Sequence, residues 1–132
     1  METHISNEQG RVPVTVFHIK GEIDTNSYEQ LQAQAKQAFE AGTRNLLLDL
    51  REVTFISSSG FRALHYIFTL LRGDSPVESD AAISKGVRDG TFKSLHLKLL
   101  NPQPAVLQVL QTAGFDMYLE IHHNPKEAVA SF

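Results

Sequence analysis

Asn45-Leu-Leu-Leu-Asp-Leu-Arg-Glu-Val-Thr-Phe-Ile-Ser-Ser-Ser-Gly60 is the stretch on which the fold class turns. Arg44 to Leu50 carries Leu46, Leu47, Leu48 and Leu50. A short apolar run of this kind, entered from a helix, reads as a strand buried on both faces, the habit of a parallel sheet. Arg51 to Gly60 reads as a loop that ends in three serines and a glycine. From Phe61 to Arg72 the period becomes helical, with Phe61, Leu64, Ile67, Phe68 and Leu71 on one side.

Towards the N-terminus, Val12 to Lys20 reads as a strand: Val12, Val14, Val16 and His18 share one face, and Thr15, Phe17 and Ile19 the other. Pro13 lacks a backbone donor and suits an edge or a strand beginning. Thr3 to Gln9 is a candidate partner strand, joined through Gly10. Gly21 to Asp24 breaks the strand, and Thr25 to Ala41 is helical, with Asp24 or Thr25 as cap and Gly42 as stop. Towards the C-terminus, Leu95 to Leu100 alternates as a strand, and Asn101 to Pro104 turns into a helix holding Val106, Leu107, Val109 and Leu110. Gly114 closes that helix, Leu119 to Ile121 is a last strand, and Asn124-Pro125 opens a final helix. Gly73 to Lys93 is polar and aperiodic, a long surface loop with room for one helical turn around Ala81 to Lys85. The alternation predicts an α/β domain with a mostly parallel central sheet of about four to five strands and about four helices.

The chain has 132 residues, the length of one domain. It has no cysteine, which excludes disulfide scaffolds, cysteine nucleophiles and thiolate metal sites. Twelve basic and 15 acidic residues leave a formal charge of −3, which argues against direct nucleic-acid binding by phosphate neutralisation. No apolar run is long enough to span a bilayer. The first residues, Met-Glu-Thr-His-Ile-Ser-Asn-Glu, lack the basic start and apolar core of a signal peptide, so a cytoplasmic protein is expected.

Ser57-Ser58-Ser59-Gly60 is the strongest local feature. It enters a helix, and a helix N-terminus exposes unpaired N–H groups that accept an anion. Hydroxyls there are suited to phosphorylation; on the local pattern alone, a simple serine cap is the commoner reading. The motif lacks the Gly-Lys-Ser/Thr ending of a P-loop and the spacing of a nucleophile elbow. His122 and His123 are adjacent, and His4, His18, His65 and His96 have no partner at ligand spacing, so neither metal nor cofactor is expected. Glu22 and Asp24 read as a solvated turn, with Asp24 as a cap, in preference to an acid/base pair. No nucleophile–base constellation appears, so no enzyme is expected.

Three blocks taken together are similar to a known family: Val14 to Asp24, Asn45 to Gly60, and Leu99 to Phe115 with a terminal Glu-Ala-Val. In order and spacing they resemble the STAS domain of bacterial anti-sigma factor antagonists. The resemblance covers nearly the whole chain as one domain, except a polar insertion at about 74–93. It implies a phosphoprotein of transcription regulation, with no catalysis of its own. In its unphosphorylated form it binds an anti-sigma factor that is also a serine kinase, and so frees a sigma factor. Phosphorylation at the start of the second helix switches it off, and a serine phosphatase restores it. The implied acceptor is Ser58, with Ser59 and then Ser57 as alternatives. The implied partner surface comprises Glu22, Asp24, Ser57, Ser58, Ser59, Gly60 and Phe61. Two departures stand out: Ser57 replaces an aspartate common in the family, and the 74–93 segment is longer than usual. The competing reading is a STAS scaffold of stressosome type, or a transporter-associated accessory subunit.

Overall fold

The structure, a computed structural model, describes residues 1–73 and 93–132. The Ala81–Lys85 turn and nearly all of the 74–93 insertion therefore lie outside the described residues. Five strands form one sheet in the order β1-β2-β3-β4-β5: β1 Glu2–Gln9, β2 Pro13–Ile23, β3 Leu46–Ile56, β4 Leu97–Leu100 and β5 Ile121–His122. The β1–β2 hairpin is antiparallel and every later pairing is parallel. Among the described residues, four α-helices alternate with the parallel strands: α1 Tyr28–Glu40, α2 Ser58–Arg72, α3 Pro104–Thr112 and α4 Pro125–Ala130. The expected α/β order and element count are therefore observed.

Several boundaries differ from expectation: β4 begins at Leu97 rather than Leu95, β5 is Ile121–His122 rather than Leu119–Ile121, and α2 begins at Ser58, inside the expected loop. β2 does not break at Gly21; it runs on to Ile23 after an irregularity between Gly21 and Glu22. β3 does not end at Leu50, and Arg51 to Ile56 are strand rather than loop. The reason is mutual support, because Gly21 pairs with Val53, Glu22 with Phe55 and Ile23 with Ile56. The two strands outrun the four-residue β4, so their last residues stand partly in water and lose the apolar signature. Helix α1 starts at Tyr28, not Thr25, because residues 24 to 27 form a hydrogen-bonded turn instead.

The sheet has two unlike faces. Alternation along the strands sends Phe17, Ile19, Leu48 and Leu99 to one face, where Leu31, Leu64, Ile67 and Leu110 from α1, α2 and α3 pack on them. Val14, Val16, Leu47 and Leu100 point to the other face, where Ala128 of the six-residue α4 covers only part. Lys98 is buried on that face and anchors the C-terminus. Its Nζ lies 3.0 Å from Glu120 Oε2 and donates to the Ser131 carbonyl at 2.8 Å.

Candidate functional site

Ile23 and Ile56 end two adjacent parallel strands side by side. The chain turns from each into a helix at the same corner, where the turn before α1 meets the first turn of α2. The Ser57 N–H donates to the Ile23 carbonyl at 3.0 Å, stapling the two turns together. Gly60 explains how closely they meet. A Cβ there would lie 2.6 Å from the Ile23 carbonyl oxygen and 2.6 Å from Ile56 Cγ1, so only glycine lets α2 seat against β2.

The three serines take three different situations. Ser57 is the N-cap, and its Oγ accepts from the Gly60 N–H at 3.3 Å. A side-chain oxygen in this place satisfies one of the helix's unpaired donors. Ser59 is half-buried, with its Oγ 3.3 Å from Thr25 Oγ1. Ser58 is exposed. It rims a shallow depression with Phe61, Arg62, His65, Tyr66 and Phe115. Phe61 is half-buried and packs on Phe115 at 5.2 Å between ring centres.

Asp24 does not cap α1. Its Oδ1 accepts from the Asn26 N–H at 2.9 Å and lies 3.2 Å from Ser27 Oγ, which donates to the Glu22 carbonyl at 2.7 Å. The backbone hydrogen bond from Asn26 is the main reason that the Asp24 carboxyl stays below the ordinary Asp range. Glu22 itself is exposed at the same corner. Asp24 thus shapes the turn that carries Thr25 to Ser59.

Sequence reasoning missed Thr25, Arg62, His65 and Phe115. Arg62 and His65 follow Ser58 by four and seven positions, the spacing of one helix face, so that part was open to a periodicity reading. It also missed a polar cluster on the opposite face. There His18 Nδ1 lies 2.9 Å from Asp49 Oδ2, and His18 Nε2 lies 2.9 Å from Ser6 Oγ. Among the described residues no three His, Asp or Glu side chains gather to hold a metal ion, and no helix is long and apolar enough to cross a membrane.

Comparison with known proteins bears on the family and the fold. The sequence model of the STAS domain matches residues 6–75. No curated protein matches the sequence. An anti-sigma factor antagonist from Mycobacterium paratuberculosis superposes with a TM-score of 0.68 at 19% identity, over 98% of this chain and 92% of that one. The Bacillus cell fate determinant SpoIIAA in its phosphorylated form gives 0.58 at 20% identity, over 96% of each chain. A sulfate transporter family protein from Wolinella succinogenes gives 0.57 at 18% identity, over 89% of this chain and 82% of that one. At these identities the likeness is one of fold.

Proposed function

Because the chain belongs to the STAS domain family, we propose that it is an anti-sigma factor antagonist switched by phosphorylation of Ser58. The whole chain is one STAS domain, with about 74–93 as an insertion, and acts in the cytoplasm as a binding module without catalysis of its own. Unphosphorylated, it docks the corner formed by Glu22, Asp24 and Ser57 to Phe61 on an anti-sigma factor that is also a serine kinase. The sigma factor is thereby released for transcription. The kinase then passes the γ-phosphoryl group of ATP to Ser58 Oγ, and a serine phosphatase removes it.

One observation carries this reading: of the three serines, Ser58 alone is exposed, while Ser57 caps α2 and Ser59 faces Thr25. The first turn of α2 is where a phosphate is best tolerated by the fold. A phosphate adds about −1.5 to −2 charges, half to two-thirds of the present −3, in the middle of the docking corner. Repulsion and desolvation at the interface then release the partner while the domain stays folded. Ser57, where the family commonly has aspartate, still caps the helix, because its hydroxyl accepts the Gly60 N–H.

Incubation with the partner kinase and ATP, followed by mass spectrometry, tests the reading. One phosphate is expected on Ser58; Ser58→Ala should abolish it, and Ser59→Ala should leave it. No phosphate on residues 57 to 59, together with no binding of the kinase, would sink the proposal. The likeness to a sulfate transporter family protein favours a second reading, a transporter-associated or stressosome-type subunit. Co-purification with a membrane complex or a large homo-assembly would select it.

A further inference from the structure

Helix α2 contains no aspartate or glutamate from Ser58 to Arg72. One exposed stripe runs along it: Ser58, Arg62, His65 and Thr69, spaced four, three and four apart on a single helix face. All four rim the shallow depression beside Phe61 and Phe115. Arg62 has Ser58 and Ser59 one turn before it, and His65 and Tyr66 one turn after. These are the positions at which a helical cation meets an acid, and none of them holds one. Among the described residues Arg62 makes no ion pair or hydrogen bond. Acids come to this region only from other elements: Glu22 and Asp24 from the end of β2 and the turn before α1, and Asp116, which follows Phe115 in the chain. Asp24 is already engaged by the Asn26 N–H.

We propose that Arg62 clamps the phosphate on Ser58. The inference rests on the reading of Ser58 as the acceptor. A phosphate there supplies the acid that Arg62 lacks four residues before it, and acid before base is the favourable order on a helix. Cβ atoms four residues apart on one face are separated by about 5–6 Å. Helical side chains lean towards the N-terminus, so Arg62 leans over the turn that holds Ser58. The forked donors of its guanidinium match two phosphate oxygens, a fit that lysine, a point charge, lacks. The carboxylates of Glu22 and Asp24 repel the new anion and leave it the side of Arg62. Free N–H groups in the first turn of α2 add to the same attraction. One modification thereby changes the corner twice. It brings in about −1.5 to −2 charges, and it takes up a cation that the unphosphorylated corner offers to a partner.

Phosphoserine built into position 58 during translation tests the clamp without any kinase. Phosphorus NMR follows the second ionisation of the phosphate, ordinarily near pH ~6. Arg62→Gln should raise its midpoint by about half a unit, and Arg62→Lys by less. High salt should shrink the difference, because the pair is exposed. The Arg62 Nε–H signal should move as the phosphate ionises and stay still in the unphosphorylated chain over the same pH range. Arg62 is exposed, so both variants keep the fold. An unchanged midpoint in Arg62→Gln, or an Nε–H signal that ignores the phosphate, would overturn the clamp. So would an equal rise in Arg11→Gln, at the far end of β2, since the effect would then be one of overall charge. The two readings fail separately. Absence of kinase phosphorylation at Ser58 removes the proposed function and leaves these midpoints measurable, whereas an unchanged midpoint removes the clamp alone.

Discussion

Leu47 and Leu48 are neighbours on β3, and each is at most 1% exposed, yet they belong to different environments. Leu48 points into the face sealed by α1, α2 and α3. Leu47 points into the face that α4 only partly covers. The sealed face builds a dry, rigid base from which α2 presents Ser58. The partly covered face carries charged pairs instead: Arg51 beside Asp49, and Lys98 with Glu120. Equal burial is therefore reached under covers of unequal extent, three helices against one short one, and the two faces should answer differently to the same change.

The largest difference is expected from alanine at these two leucines. Leu48→Ala should cost about 4–5 kcal/mol, because a closed core relaxes little around a new void. Leu47→Ala should cost about 2–3 kcal/mol, because the short α4 that covers this face can settle towards the void. Urea denaturation of both variants measures this, and equal losses would erase the contrast between the faces.

Gly60→Ala comes next. The added methyl drives α2 away from Ile23 and Ile56, at about 1–3 kcal/mol by the same denaturation assay. It should also weaken docking of the anti-sigma factor, because the serine corner shifts with the helix.

The serines sharpen the contrast between holding the corner and using it. Ser57→Ala should lose about 1 kcal/mol of stability with the cap, and Ser57→Asp should retain it. Ser58→Ala should change stability by no more than about 0.5 kcal/mol and still abolish phosphorylation. A stability loss at Ser58 equal to that at Ser57 would mean that both serines only hold the helix.

The smallest effect is at Asp24. Its carboxyl titrates below 3.8 in the folded chain, mainly through the Asn26 N–H. A depressed acid contributes stability that is present above the unfolded pKa and is lost as pH falls through the folded one. A shallow acid-side loss of stability, beginning near pH 3.8 and absent in Asp24→Asn, is the expected signature. NMR titration of the Asp24 carboxyl checks the premise; a midpoint at or above 3.8 would contradict it.

Much of this was legible in the chain. The alternation in Val12 to Ile19 placed Val14 and Val16 opposite Phe17 and Ile19, as observed, because side chains on a strand alternate whatever lies beyond it. Asn124-Pro125 marked the start of α4, since a cap and an N1 proline act within one turn. Arg51 to Ile56 misled, because those residues are strand only by virtue of pairing with Gly21 to Ile23. Asp24 misled in a related way: it looked like a cap, but the turn it shapes is locked by Ser27 reaching the Glu22 carbonyl.

The sequence by itself determined the α/β class, the element order, the helix that begins in a serine loop and the family that these resemble. Each rests on local periodicity, capping or linear spacing. Only the tertiary structure decided which serine is exposed, why position 60 is glycine, and that one face of the sheet is covered by a single short helix. Those depend on groups that are distant in sequence: Thr25 meets Ser59 across 34 residues, and His18 meets Asp49 across 31. Such pairs are set by strand register and helix docking, which act between elements and leave no period within any one of them.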